Sequence, residues 1–355
     1  MIHSITVSDL LDPSFTMPVA DVRTPAEFAQ AHIPGAVNLP LFSNEERVQV
    51  GTTYKQVGKE AAILLGFDLT GNKWSGFIRQ ALEFAPEKKI ALHCWRGGMR
   101  SGAMAWALNL YGFDVYLLQG GYKTFRRWAL RQFDKKYQLQ VVGGMTGTGK
   151  TKVLRQLRAM GQPVIDLEDI AQHQGSAYGS LNKLIQPSQE QFENILAFQL
   201  HRLRAEKIWV EDESISIGKR YIPRPFWQQI QEAVLFDLRI QPEIRLQNLV
   251  EEYGSLNKEF LIECTQRIRK RLGPDQTKKA ILAIEEDRMD DFVKHVIVYY
   301  DKTYKKGIES RLQSLVIPVL LNNQDITEDA AVLLNSAMQI NPSVLSNLNN
   351  NEHSQ

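Results

Sequence analysis

Short apolar runs recur along the chain, each bounded by turn residues and followed by a stretch of helical composition. Val19 to Val22 reads as a strand, and Pro25 behind it suits the first turn of a helix. His32-Ile33-Pro34-Gly35 is a turn into another short strand ending near Leu39. Ile90, Ala91 and Leu92 read as a buried strand end, with Ser101 to Leu110 as the helix after it. Gln138 to Val142 is the next strand, and Lys152 to Met160 an amphipathic helix. Pro163 to Asp166 and Ile208 to Ser214 are further strands, with a long helix over Phe192 to Lys207 between them. Pro242 to Ser310 is mostly helical, and Val316 to Leu321 is a last strand. Strands alternating with helices predict an α/β fold whose parallel sheets are covered on both faces.

Length and composition narrow the picture. A chain of 355 residues predicts two or three domains. Hydrophobic content of 43% and charged content of 23% are those of an ordinary globular protein. The net charge of +2 argues neither for nor against nucleic acid, so any basic surface must be local. Two cysteines, Cys94 and Cys264, exclude a disulfide framework and fit a reducing compartment. Asp9 and Asp12 break the pattern of a signal peptide, and no run approaches membrane-span length. The expectation is a cytoplasmic monomer without membrane contact. The boundaries expected are a first domain over 1–127, a joining helix over 128–136, a second domain over 137–330 with a helical segment at 242–310, and a disordered tail at 341–355. The joint lies in a stretch, Lys123 to Lys136, rich in Arg, Lys and aromatic residues.

The densest chemistry is His93-Cys94-Trp95-Arg96-Gly97-Gly98-Met99-Arg100-Ser101. A cysteine at a strand-to-helix turn meets inward-pointing backbone N–H groups and the positive end of a helix, and both favour the thiolate. Arg96 and Arg100 can hold an oxyanion, Arg100 with a planar fork. Cys94, Arg96 and Arg100 are therefore the catalytic candidates, for chemistry on phosphate, thiosulfate or a similar group. Cys264, among apolar helix neighbours, reads as structural.

Gly144 to Thr151 fits the phosphate-binding pattern G-x-x-x-x-G-K-[ST], with a strand before it and a helix after. Backbone groups of Gly144, Gly147, Thr148 and Gly149 would cradle a diphosphate, Lys150 would bridge its oxygens, and Thr151 could ligate Mg2+. Asp166 ends the next strand facing the same site. Ser176 lies in a Gly/Ser loop that could touch substrate or simply connect. Glu211, Asp212 and Glu213 end the strand begun at Ile208; Thr151, Glu211 and Asp212 are the candidate Mg2+ ligands, with the choice among the three acids left open. A basic cluster of Arg267, Arg269, Lys270, Arg271, Lys278 and Lys279, with Lys302, Lys305 and Lys306 near Tyr299, Tyr300 and Tyr304, suits RNA phosphates and bases or an ordinary solvated helix surface.

Asp21-Val-Arg23-Thr-Pro-Ala-Glu27, His32-Ile-Pro-Gly-Ala-Val-Asn-Leu-Pro40 and Gly112 to Gly121, with Cys94 between, resemble the blocks of rhodanese domains. The Cys94 loop departs by one extra residue from many sulfur-transferring members and also matches the loop of cysteine phosphatases. With Gly144 to Thr151, Val210-Glu-Asp-Glu-Ser214 and Gly175-Ser-Ala-Tyr-Gly179, the chain over about 5–330 resembles the tRNA 2-selenouridine synthase family. The resemblance implies a rhodanese-like doubly wound parallel sheet followed by a P-loop NTPase-like α/β domain with a helical C-terminal part. It implies replacement of sulfur by selenium at C2 of wobble 2-thiouridine in tRNA, with selenophosphate and geranyl diphosphate as co-substrates. A selenophosphate-producing enzyme would be a partner. The residues leave open a cysteine phosphatase fused to an NTPase domain, an ATP-dependent rhodanese-type sulfurtransferase acting on RNA, and a non-catalytic RNA-binding module.

Overall fold

A computed structural model describes residues 1–173, 178, 185–203, 207–322 and 325–339. The expected tail and the Ser176 loop lie outside these residues. The chain divides into two compact units. The first comprises Met1–Asp134 together with Pro187–Arg202, and the second Lys135–Gln186 and Leu203–Gln355.

The first unit is built on a parallel sheet of β1 (Ile2–Ile5), β2 (Val19–Asp21), β3 (Val37–Asn38), β4 (Lys89–His93) and β5 (Asp114–Leu118). Their order is β1-β5-β4-β2-β3. β4 is the central strand, and Ile90 and Leu92 lie in one core with Ala20, Val22, Met104, Leu108 and Phe113. The chain crosses from one side of the sheet to the other between β3 and β4. The carboxyl ends of β2 and β4 therefore form a switch point, the usual place for a site in such a sheet. The helix Met99–Leu110 starts there.

Between β3 and β4 the chain forms three helices, Asn44–Gln56, Lys59–Thr70 and Trp74–Phe84. The stretch expected as a joint is, through Gln132, the end of the helix Gly121–Gln132, which belongs to the first unit. The long helix expected over 192–207 spans Gln189–Leu203 and, through Arg202, also belongs to the first unit. Its Asn194 donates to the Tyr122 hydroxyl (2.7 Å) and accepts from Arg126 (3.0 Å), and Gln191 accepts from the His32 amide (2.7 Å).

The second unit holds a parallel sheet of β6 (Leu139–Gly144), β7 (Val164–Ile165), β8 (Ile208–Glu211), β11 (Val234–Arg239) and β12 (Val316–Leu320), in the order β12-β11-β6-β8-β7. A two-stranded hairpin, β9 (Ser216–Ile217) with β10 (Arg220–Tyr221), sits apart from it. β6 lies between β8 and β11, where the strand order reverses, so its carboxyl end is again a switch point. Val142, Val153, Leu154, Trp209 and Phe236 form the core beneath. The helices from Pro242 to Glu309 have their own core of Leu261, Cys264, Ala280, Ile284, Phe292 and Val296, with Cys264 fully buried.

Candidate functional site

In the first unit Cys94 follows the last residue of β4 and is 4% exposed. Its Sγ accepts from the Gly98 amide and from the Ser101 hydroxyl, each at 3.3 Å. The loop curls because Gly97 and Gly121 have φ of +64° and +60° and touch. A Cβ on Gly121 would stand 2.3 Å from the Cys94 carbonyl oxygen and 2.5 Å from the Gly97 nitrogen. Tyr122 and Lys123 amides then donate to the Cys94 and Trp95 carbonyls at 2.9 and 3.0 Å. Burial alone would raise the thiol pKa, but the Ser101 hydroxyl and the amides of Ser101, Arg96 and Gly98 outweigh it, and the net shift is downward. Cys94 is thus a buried thiol poised toward thiolate. Cys264, by contrast, is pushed up by burial.

The two arginines differ. Arg96 is exposed beside the loop. Arg100 forms a bidentate pair with Glu27, at 2.7 and 3.3 Å. Glu27 also accepts from the Thr24 amide, capping the helix Pro25–Gln30. Burial raises the Glu27 carboxyl, but Arg100 and then Thr24 and Arg23 bring it below its usual range. Two of the five guanidinium N–H donors of Arg100 are thereby engaged. Behind the loop lies a buried pair, Arg23 on Asp21 at 2.6 Å, with the guanidinium 3.9 Å from the Tyr122 ring centre. Burial lowers the pKa of His93, against the pull of Asp21 3.7 Å away.

In the second unit the loop after β6 opens the helix Lys150–Ala159. Lys150 Nζ donates to the Gly144 carbonyl at 3.0 Å and lies 3.8 Å from Glu211. The Thr151 hydroxyl reaches Glu211 at 3.2 Å and Glu168 at 3.4 Å. Oxygens of Glu168, Glu211 and Glu213 lie within 4.8 Å of one another. Asp212 turns instead onto Arg311, at 2.6 Å. The acids brought together are therefore Glu168, Glu211 and Glu213, not the expected pair of Glu211 and Asp212. Burial pushes Glu211 up to about 8, against the pull of Lys150 and with the push of Glu168 and Asp166. Glu213 rises as well, through burial and then Glu211. Such a cluster calls for a proton or a cation, and its all-oxygen donor set, hydroxyl included, fits Mg2+. Asp166 caps the helix Leu167–Ala171 through the Asp169 amide (2.9 Å) and so delivers Glu168.

Sequence reasoning also missed the residues that clasp the phosphate-binding loop from the helix Pro242–Gly254. Arg245 donates to the Thr146 carbonyl at 2.7 Å while pairing with Asp301, and Asn248 donates to the Gly147 carbonyl at 3.1 Å. Of the basic cluster, Arg267 is paired with Glu263 and Arg271 donates to the Tyr299 hydroxyl at 3.3 Å. Lys302, Lys305 and Lys306 are exposed.

Residues 6–127 match the rhodanese-like domain, and residues 137–328 match the AAA domain of tRNA 2-selenouridine synthase. The chain belongs to the tRNA 2-selenouridine synthase family. A tRNA 2-selenouridine synthase of Nitrosomonas europaea is 39% identical over 72% of this chain and 68% of its own length. Those of Psychromonas ingrahamii and Shewanella sediminis are 33% and 35% identical over 83% and 84% of this chain, and over 88% and 90% of their own lengths. The Cys94 loop and the Gly144–Thr151 loop thus sit in the two domains that the family combines. Among the described residues no helix is long and apolar enough to cross a membrane.

Proposed function

We propose that this enzyme replaces sulfur with selenium at C2 of wobble 2-thiouridine in tRNA, using selenophosphate, through an S-geranylated intermediate made from geranyl diphosphate. The observation that carries the selenium half is the buried Cys94 sulfur, held by Gly98 and Ser101 at a helix start with a lowered pKa. Its thiolate attacks phosphorus of selenophosphate. An S–P bond forms, the Se–P bond breaks, and selenide leaves while Arg96 and Arg100 hold the phosphoryl oxygens. C2 of the geranylated uridine accepts the selenide and loses geranyl thiol. Water then hydrolyses the S–P bond and releases phosphate.

The second unit supports the geranylation half. The loop from Gly144 to Thr151 cradles the diphosphate, with Lys150 on its oxygens as the thiouridine sulfur attacks the geranyl carbon. Glu168, Glu211, Glu213 and Thr151 would hold Mg2+, which would stabilise the departing pyrophosphate. Family membership favours this reading over a phosphatase. A tRNA substrate also places the work in the cytoplasm, with a selenophosphate-producing enzyme upstream.

Intact-protein mass spectrometry after incubation with selenophosphate tests the Cys94 step. A phosphoryl adduct that maps to Cys94, with release of selenide and absent from Cys94→Ala, is expected. An adduct that persists in Cys94→Ala overturns it.

A further inference from the structure

The helices Asn44–Gln56 and Lys59–Thr70 and the start of Met99–Leu110 enclose a cavity of about 400 Å3. Its walls are almost wholly apolar and include Phe42, Ile63, Phe67, Trp74 and Ala103. Tyr54, Phe67 and Met99 also line it while more than half exposed, so the cavity has an open mouth. A second hollow, of about 560 Å3, shares Phe42, Val50, Tyr54, Met99 and Arg100 with the first and adds Arg47 and Lys55. Among the described residues no ion pair engages Arg47 or Lys55, and the neighbouring Glu46 is taken by Lys73. The result is an apolar chamber with a cationic porch.

The chamber and the Cys94 cradle share one helical turn. Ser101 faces the sulfur, at 3.3 Å, while Met99, Arg100, Gly102 and Ala103 line the chamber. A molecule whose apolar chain filled the chamber would bring its polar end to Arg100, beside the cradle. Nothing in the Cys94 step itself needs an apolar chamber, and selenophosphate has no part that would fill one. An uncharged chain attached to a phosphate-bearing body fits both parts.

We infer that this cavity holds the isoprenoid chain of the S-geranylated uridine, with Arg47 and Lys55 on the flanking RNA phosphates. The inference rests on the geranylation reading above and adds where the chain is bound while selenium is delivered. Burying the chain orients C2 and retains the geranyl thiol as it leaves. The cationic porch contributes the sequence-independent, salt-sensitive part of RNA binding.

Gly102 offers a clean perturbation. A Cβ there meets nothing within 4 Å, so Gly102→Leu adds a side chain at the chamber wall, at a helix position where Leu is favoured over Gly. The test measures binding of two synthetic anticodon-loop RNAs, one with 2-thiouridine and one with its S-geranyl form, to the full chain. The wild type is expected to prefer the geranylated RNA. In Gly102→Leu that preference falls about tenfold, the equivalent of roughly two buried methylenes, while binding of the thiouridine RNA is unchanged. Arg47→Ala with Lys55→Ala weakens both RNAs alike and flattens the salt dependence.

Equal binding of the two RNAs by the wild type overturns the proposal, as does an undiminished preference in Gly102→Leu. If Gly102→Leu instead slows geranylation from geranyl diphosphate and spares selenation of supplied S-geranyl RNA, the chamber serves the donor and the proposal is wrong. Because the geranylated RNA is supplied, these results stand apart from whether the enzyme makes it. Failure to form geranylated uridine from geranyl diphosphate would remove the underlying reading by a separate measurement.

Discussion

Ser101→Ala removes the side-chain donor to the Cys94 sulfur and the same hydroxyl's contact with the Gly98 carbonyl. Ser101 is fully buried, and its hydroxyl reaches Cys94 Sγ at 3.3 Å and the Gly98 carbonyl oxygen at 3.1 Å. A hydrogen bond to a charged group contributes about 1.5–3 kcal/mol. The sulfur charge is diffuse, and the Gly98 amide stays in place, so the lower end applies. At 1.36 kcal/mol per pKa unit, the Cys94 thiol should rise by roughly one unit. The sulfur is buried, so solvent does not erode this figure.

The assay is alkylation by iodoacetamide across pH, with peptide mass spectrometry following Cys94 and Cys264 in the same sample. In the wild type Cys94 should react with a midpoint below that of an ordinary cysteine, and Cys264, raised by burial, above it. Ser101→Ala should move the Cys94 midpoint up by about one unit and leave Cys264 where it was. Below both midpoints, selenation of the uridine should fall about tenfold with the thiolate fraction. Superimposable Cys94 profiles in the two proteins would refute the argument that Ser101 sets the thiolate.

Gly121→Ala should be far more damaging than its size suggests, because its Cβ would meet the Cys94 carbonyl oxygen at 2.3 Å in a left-handed conformation. Denaturant unfolding should show a loss of roughly 2–6 kcal/mol, from strain and overpacking together. Glu211, with its pKa raised from 4.5 to about 8, binds a proton in the folded state that the unfolded chain has lost. Stability of the metal-free protein should therefore fall as pH rises from about 4.5 to 8, and Glu211→Gln should flatten that slope. Added Mg2+ should raise the thermal midpoint of the wild type near pH 8 and do much less for Glu211→Gln. Arg245→Ala frees the Thr146 carbonyl and leaves Asp301 without its partner. It should weaken binding of geranyl diphosphate, measured by calorimetry, roughly tenfold, as expected for one lost charge-assisted contact.

The two loops were legible because each is local. Cys94 to Ser101 and Gly144 to Thr151 carry their own turn residues, and each lies between a strand and a helix that its neighbours already specify. The companions of those loops come from afar and were not legible. Glu27 was visible in its block, but its pairing with Arg100 depends on β2 and β4 lying side by side. Glu168 reaches Thr151 only because β7 lies beside β8 and Asp166 turns the chain there.

One miss had a usable signal. Read from the sequence as a strand through Ser214, the segment alternates its side chains, so Glu211 and Glu213 share a side and Asp212 takes the other. That parity anticipates Asp212 meeting Arg311 while its neighbours converge. The helix Gln189–Leu203 offered less. Its length was readable, but its membership of the first unit comes from polar contacts such as Asn194 to Tyr122 that no periodicity encodes. The segment between Pro40 and Lys89 was similarly opaque. Apolar residues such as Ile63, Leu64 and Phe67 serve a cavity and the surface, so they mark no single buried stripe.

The most direct test of the account is mass spectrometry of nucleosides from tRNA carrying 2-thiouridine, after incubation with the full chain and each donor, singly and together. The wild type should yield geranylated uridine with geranyl diphosphate alone and 2-selenouridine when selenophosphate is added. Cys94→Ala should stop at the geranylated form, and Lys150→Ala should leave the thiouridine untouched. Selenouridine formed by Cys94→Ala, or geranylation retained in full by Lys150→Ala, would contradict the roles given to the two loops.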